Sequence, residues 1–178
     1  MQVVSEVLAQ GGAQHVPSIL VVDDEPDVVA SATGCLRRYL PWCLVAAATN
    51  AREALAMSRR DAFDVVVSDQ CMPGMDGLAL LRRLRFEQPA VARLLLTGHL
   101  EESTAQAALQ DGLADALLLK PVSLARLVHT VALQMWLLHQ DGRRPLPAAY
   151  ARDLHGVLGR LGLGLRVEDG HGKPSSVR

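Results

Sequence analysis

Asp69 closes an apolar run, Asp64-Val65-Val66-Val67-Ser68-Asp69, and is followed by Gln70-Cys71-Met72-Pro73-Gly74-Met75-Asp76-Gly77. Three consecutive β-branched residues of this kind form a buried parallel strand, so the carboxylate falls where the strand leaves the sheet and the chain must turn. The arrangement recurs at Ser18-Ile19-Leu20-Val21-Val22, which runs straight into Asp23-Asp24-Glu25. Two further runs end in polar groups: Arg93-Leu94-Leu95-Leu96 in Thr97-Gly98, and Ala116-Leu117-Leu118-Leu119 in Lys120-Pro121. In an open parallel sheet every strand points its carboxyl end to one edge, and ligands bind there, where the strand order reverses. The acids, the hydroxyl and the ammonium are therefore expected to converge. Carboxylate and carbonyl oxygens suit a hard divalent cation, while an ammonium and a hydroxyl suit phosphoryl oxygens. Asp69 is the natural nucleophile of such a set.

Helical segments are predicted near residues 25–39, 50–60, 76–86, 101–111 and 122–139, with the second strand near 43–47. Strand and helix alternate five times, which implies an α/β fold built on a parallel sheet. Asp24, ahead of Pro26, is expected to cap the first helix as well as to serve the cation, and Asn50 and Ser123 to cap the second and fifth. Each site residue also has a plain structural reading: Asp69 as a loop cap, Thr97 as a turn hydroxyl, Lys120 as a solvated lysine. Their placement at four strand ends in order favours chemistry. Trp42 is expected to be partly buried ahead of the second strand.

The fifth helix carries Val131, Leu133, Met135, Trp136, Leu137 and Leu138, too many apolar residues for one buried stripe. Its surplus face calls for a cover, either a second copy of the chain in a homodimer or the segment that follows. In that segment Tyr150, Leu154, Val157, Leu158 and Leu161 lie on one face of a short amphipathic helix. Gly156 and Gly159 weaken this helix, Gly162 and Gly164 end it, and Gly170 to Ser176 read as disordered. The organisation expected is a flexible lead-in over 1–16, one domain over 17–140 and a tail over 141–178.

The 178 residues are 49% hydrophobic but only 3% aromatic, so the core must rest on Leu, Val and Ala. With 18 basic residues against 19 acidic ones the net charge of -1 advertises no broad nucleic-acid surface. Cys35, Cys43 and Cys71 show no metal-ligand spacing and read as the reduced cysteines of a cytoplasmic protein. No uncharged stretch is long enough to cross a bilayer.

Taken together, Val21-Val22-Asp23-Asp24-Glu25, Ser68-Asp69 with Met72-Pro73-Gly74-Met75-Asp76-Gly77, Leu96-Thr97-Gly98 and Leu119-Lys120-Pro121 resemble the receiver domain of two-component response regulators, over residues 17 to 140. The resemblance implies a flavodoxin-like doubly wound sheet of five parallel strands in the order 2-1-3-4-5, with five helices. It implies that Asp69 accepts a phosphoryl group from a histidine kinase or phosphotransfer protein. It further implies Mg2+ held by Asp23, Asp24, Asp69 and the backbone carbonyl of Cys71. Lys120 would pair with the phosphoryl oxygens, and Thr97 would move to bond the phosphate and so act as a switch. Leu117 departs from the pattern: receivers usually carry Tyr or Phe three residues before the lysine, where the ring swings inward as the threonine moves. A branched aliphatic side chain cannot make that swap, so switching is expected to be weaker or differently wired. Cys71 and His99 occupy positions that tune phosphate lifetime in this family.

The stretches Leu95-Leu96-Thr97-Gly98-His99 and Asp111-Gly112-Leu113-Ala114-Asp115 are similar to receivers attached to HD-type cyclic-di-GMP phosphodiesterases. No such enzyme is expected in the short stretch after Gly142, which lacks a His-Asp metal constellation. The function that follows is a signalling module without a recognisable output domain, acting through contacts with an unidentified downstream protein and catalysing only its own phosphorylation and dephosphorylation. A phosphate-independent adaptor or scaffold is the alternative. A DNA-binding regulator using Arg143, Arg144, Arg152, Arg160 and Arg166 is disfavoured by the single helix and the interleaved Asp141 and Asp153. A phosphohydrolase similar to haloacid dehalogenases would need a general acid two residues after Asp69, where Cys71 stands.

Overall fold

The computed structural model describes residues 15–98 and 102–160. Strand and helix alternate as β1 (Ser18–Val22), α1 (Pro26–Tyr39), β2 (Leu44–Ala48), α2 (Ala51–Arg60), β3 (Val65–Asp69), α3 (Gly77–Glu87), β4 (Ala92–Thr97), α4 (Glu102–Gln110), β5 (Ala116–Leu119) and α5 (Leu124–Gln140), followed by α6 (Ala148–Arg160). The strands form one parallel sheet in the order β2-β1-β3-β4-β5. This is the flavodoxin-like receiver fold. Both faces are covered, which is why the strands read as unbroken apolar runs. Ile19, Val21, Val65, Val67, Leu94 and Leu96 pack under α1 and α5, while Leu20, Val22, Val66 and Leu95 pack under α2 and α3.

The register sets the site. Val22 pairs with Ser68, Asp69 with Leu96, and Thr97 with Leu119. Asp23 and Asp69 therefore leave the sheet side by side at the point where the strand order reverses, and Lys120 follows one step beyond Thr97 on the neighbouring strand.

Asn50 Oδ1 accepts from the Glu53 N–H at 2.9 Å, and Ser123 Oγ from the Arg126 N–H at 3.2 Å, so both expected caps form. Asp24 does not cap α1. The cap position belongs to Glu25, which makes no side-chain cap bond, and it is Asp23 Oδ1 that accepts from the Glu25 N–H at 3.0 Å. Pro26 offers no N–H at the start of the helix, and Asp24 stands one residue too early, with a carboxylate oxygen within 4.8 Å of those of Asp23 and Asp69. The second strand runs one residue later than its apolar pattern suggests.

Arg93 is a buried cation in β4. Its guanidinium donates to the carbonyls of Val91, Leu113 and Gly112, and lies 3.2 Å from Asp115, whose carboxylate also accepts the Arg93 N–H. Burial pulls its pKa down and Asp115 opposes the shift. Apart from the bond to Val91, these bonds tie the start of β4 to the turn before β5.

Helix α6 lies on α5. Leu154 and Leu158 are fully buried, and with Leu146 and Val157 they belong to the same apolar cluster as Leu36, Leu127, Val131 and Met135. At 3.6 residues per turn the apolar arc of α5, from Gln134 round to Trp136, spans about 200°. One part faces the sheet and another faces α6, so within the chain the segment that follows covers much of the surplus face. Leu133 and Trp136 are half-buried against this cluster and Leu137 stays exposed. Trp42 stacks on Tyr150 with ring centroids 5.5 Å apart and an interplanar angle of 12°. The connecting segment is pinned as well: the Leu146 N–H donates to His139 Nδ1 at 2.9 Å, and the Arg144 guanidinium lies 3.7 Å from the buried Asp64. Leu161 and the glycines beyond it lie outside the described residues. None of the described helices is long and apolar enough to cross a membrane.

Replacing Leu154 by Ala removes a fully buried side chain from the main core, and a loss of about 2–5 kcal/mol is expected. Urea unfolding of the full chain measures it. An unchanged midpoint would show that α6 contributes nothing to the stability of the sheet.

Candidate functional site

Asp23 and Asp69 are 1% and 4% exposed, so neither carboxylate is solvated as an ordinary surface acid would be. One carboxylate oxygen from each of Asp23, Asp24 and Asp69 lies within 4.8 Å of the others. Lys120 Nζ reaches across the cluster, 2.6 Å from Asp69 Oδ1 and 3.4 Å from Asp23 Oδ2. The second oxygen of Asp69 accepts from the Cys71 N–H at 2.8 Å. Burial draws the pKa of Lys120 down, but the hydrogen bond to Asp69 and the charges of Asp23 and Asp69 outweigh it and the net shift is upward.

The charges do not balance. Three carboxyl groups face a single ammonium, two of them buried, an arrangement that an added cation would ease. Thr97 is fully buried, and its hydroxyl has no hydrogen-bond partner among the described residues. Its carbonyl accepts the Lys120 N–H at 2.8 Å, which locks the two residues to each other through the main chain. A buried hydroxyl left unpaired costs on the order of 1–3 kcal/mol, and an arriving acceptor recovers it.

The loop after β3 explains the run Met72-Pro73-Gly74-Met75-Asp76-Gly77. Gly74 sits at φ +80°, Asp76 caps α3 by accepting from the Ala79 N–H at 2.8 Å, and Met72 is buried. Gly77 is demanded by contact: a Cβ there would lie 2.3 Å from the carbonyl oxygen of Asp69 and 2.9 Å from the Cα of Gln70. The start of α3 thus rests directly on the main chain of the candidate nucleophile. Sequence reasoning used this run as a signature without finding that packing role, since nothing in a one-dimensional pattern says which glycine meets another backbone.

The structure brings together Asp23, Asp24, Asp69 and Lys120, with Thr97 next to Lys120 and the Cys71 amide on Asp69. Leu117 is half-buried and belongs to the other side of β5, where it packs against the cluster that contains Leu95 and Leu113. Cys71 is exposed, while burial raises the thiol pKa of Cys43 and of Cys35; none of the three is in a disulfide. His99 lies outside the described residues.

A doubly wound parallel sheet gathers acids at its switch point, with a threonine from β4 and a lysine from the end of β5 beside them. The family model of the response regulator receiver domain matches residues 19–132, and the chain belongs to that family. It is 38% identical over 114 residues to the C4-dicarboxylate transport transcriptional regulatory protein DctD of Rhizobium meliloti, covering 64% of this chain and 24% of that protein. It is 37% identical over 109 residues to a response regulator receiver protein of Anaeromyxobacter, covering 61% of this chain and 44% of that one. The chain therefore matches less than half the length of either relative. A receiver domain from Clostridium thermocellum superposes with a TM-score of 0.62 at 27% identity, covering 71% of this chain and 97% of that one. The signal receiver domain of an HD domain-containing protein from Pseudomonas fluorescens gives 0.63 at 25%, covering 76% and 98%.

Because the fold raises the pKa of Lys120, the stabilisation it supplies is complete below the usual lysine pKa of about 10.4 and is lost as pH climbs through the raised value. Urea midpoints of the unaltered chain should fall between about pH 10 and 12 more steeply than those of Lys120→Arg, whose side chain stays charged. Parallel curves would mean that the ammonium does not hold the acids.

Proposed function

We propose that Asp69 is the phosphoacceptor of this receiver, served by Mg2+ held on Asp23, Asp24 and Asp69 with the Cys71 carbonyl. The observation that carries the reading is Lys120 Nζ bridging Asp69 and Asp23 beside a buried, unpartnered Thr97 hydroxyl. The residues fit the ion: hard oxygen donors are clustered and three carboxyl groups face a single ammonium. When bound, the ion supplies neutralisation of charge on the transferred group.

The remaining work belongs to the chain itself. A carboxylate oxygen of Asp69 forms a bond to phosphorus as the bond from phosphorus to the histidine nitrogen of the donor breaks. That nitrogen keeps the electron pair and takes up a proton. Lys120 pairs with the phosphoryl oxygens, and the Thr97 hydroxyl donates to one of them, gaining the acceptor it lacks. The upstream partner is a histidine kinase or phosphotransfer protein, the downstream one a protein read through the changed surface, and the setting is cytoplasmic. The domain catalyses no reaction beyond its own phosphorylation and dephosphorylation.

Binding that does not depend on phosphate is a second reading, favoured by one observation: Leu117 is an aliphatic side chain half-buried where the family carries a swinging ring. Transcriptional output of the kind named for DctD gains little support. The apolar face of α6 is spent on the core, and the helix has no partner with which to form a helix-turn-helix among the described residues.

Incubation with Mg2+ and acetyl phosphate, followed by intact mass measurement, is expected to show one added phosphoryl group, absent in Asp69→Asn and in the presence of a chelator. No added mass in a folded, Mg2+-binding chain would sink the phosphoacceptor reading. Amide exchange in α4 and β5 should change less on phosphorylation of the unaltered chain than of Leu117→Tyr; equal, large changes would show that the aliphatic residue does not limit switching.

A further inference from the structure

We infer that Gln70 is a positioning residue of the cation site, holding the loop that carries the Cys71 carbonyl against the start of α3. This rests on the phosphoacceptor reading above. Gln70 follows the nucleophile and is tied at three points. Its N–H donates to the Leu96 carbonyl at 2.8 Å, its carbonyl accepts from the Gly77 N–H at 3.0 Å, and its side-chain Oε1 accepts from the Leu78 N–H at 3.0 Å.

The first N–H groups of a helix have no partner within it. In α3, Gln70 satisfies the first two and Asp76 the third, from the Ala79 N–H. The two caps differ in what they hold. Asp76 is local to its own helix, whereas Gln70 reaches eight residues along the chain and closes the whole loop over 70–77. Gly77 allows this closure, since any side chain there would strike the Asp69 carbonyl and Gln70. The Leu96 bond anchors the same residue to the end of β4, one position before Thr97.

The consequence concerns Cys71, whose N–H holds Asp69 Oδ2 at 2.8 Å and whose carbonyl is the backbone ligand of the proposed ion. A backbone ligand has no rotamer to adjust; its place is set by the residues on either side. With the amide of Gln70 removed, the Leu78 N–H loses its acceptor, the loop is closed by main-chain bonds alone, and the ligand spreads over a wider range of positions. Supporting residues of this kind typically alter metal affinity about 10–100-fold.

The test is Mg2+ affinity by titration calorimetry on the full chain. Gln70→Met, equal in length but without an acceptor, is expected to bind Mg2+ about tenfold more weakly. Gln70→Glu, which keeps an acceptor for Leu78, should retain at least the original affinity. Asp76→Ala, which removes the other α3 cap, should lower the unfolding midpoint and leave the affinity unchanged. Original affinity in Gln70→Met, or an equal loss in Asp76→Ala, overturns the inference while the phosphoacceptor reading stands. No Mg2+ binding by the unaltered chain overturns the metal reading and this inference together. Amide exchange of the unaltered chain needs no variant: Mg2+ should slow exchange at Gly77 and Leu78, and unchanged exchange there overturns the role assigned to Gln70.

Discussion

Two carboxylates, Asp23 and Asp69, are held nearly out of water within reach of a single ammonium, and much of the structure serves to make that arrangement tolerable. Like charges at such a distance raise the free energy of the folded chain. The cost is carried by the sheet, whose strands are apolar on both faces and packed under helices on both sides, so the edge that bears the acids cannot relax by opening. Local bonds then divide the load: Asp23 takes the Glu25 amide, Asp69 takes the Cys71 amide, and Lys120 spans both. What remains is an excess of negative charge and one hydroxyl without a partner. These deficits fit the proposed cation and phosphoryl group, since each arrival would remove one of them.

The register shows why this chemistry sits at the sheet edge and not in a cavity. Asp23 and Asp69 are neighbours because β1 and β3 are neighbours, which follows from the reversal of strand order between them. Thr97 and Lys120 are neighbours because β4 and β5 pair with Thr97 opposite Leu119. A slip of one residue in either pair would turn the side chains to the other face. The placement of the four polar groups is thus a property of the strand pairing, set by the apolar residues inside the strands.

Much of this was legible in the sequence, and what was not has identifiable causes. Polar residues directly after apolar runs revealed Asp23, Asp69, Thr97 and Lys120, because a strand end is a local feature. The α/β alternation and the caps at Asn50 and Ser123 were local too. Asp24 was misread as a cap because a capping acid ahead of a proline is an ordinary helix start; in the fold Glu25 takes the cap position and Asp23 accepts its N–H. Gly77 and Gln70 escaped notice because their partners are the backbone of β3, β4 and α3. Arg93 and Asp64 are buried charges whose solvents are carbonyls, amides and distant side chains, and a one-dimensional pattern shows only that a charge interrupts an apolar run.

The surplus apolar arc of α5 called for a cover, and within the chain α6 supplies one. A segment tethered through 141–147 competes at high effective concentration with any second copy. Here it is further fixed by Leu146, Tyr150 on Trp42, and Arg144 beside Asp64. With that face closed, change at Asp69 has few ways to reach the surface. Lys120 is one, because it terminates β5, an edge strand whose Leu119 is 61% exposed and whose Leu117 is half-buried. Lys120 thus ties the end of that strand to Asp69 and Asp23. Leu117, three residues before Lys120, packs against the cluster that contains Leu95 and Leu113, so β5 is joined by aliphatic contacts to the strand that ends in Thr97.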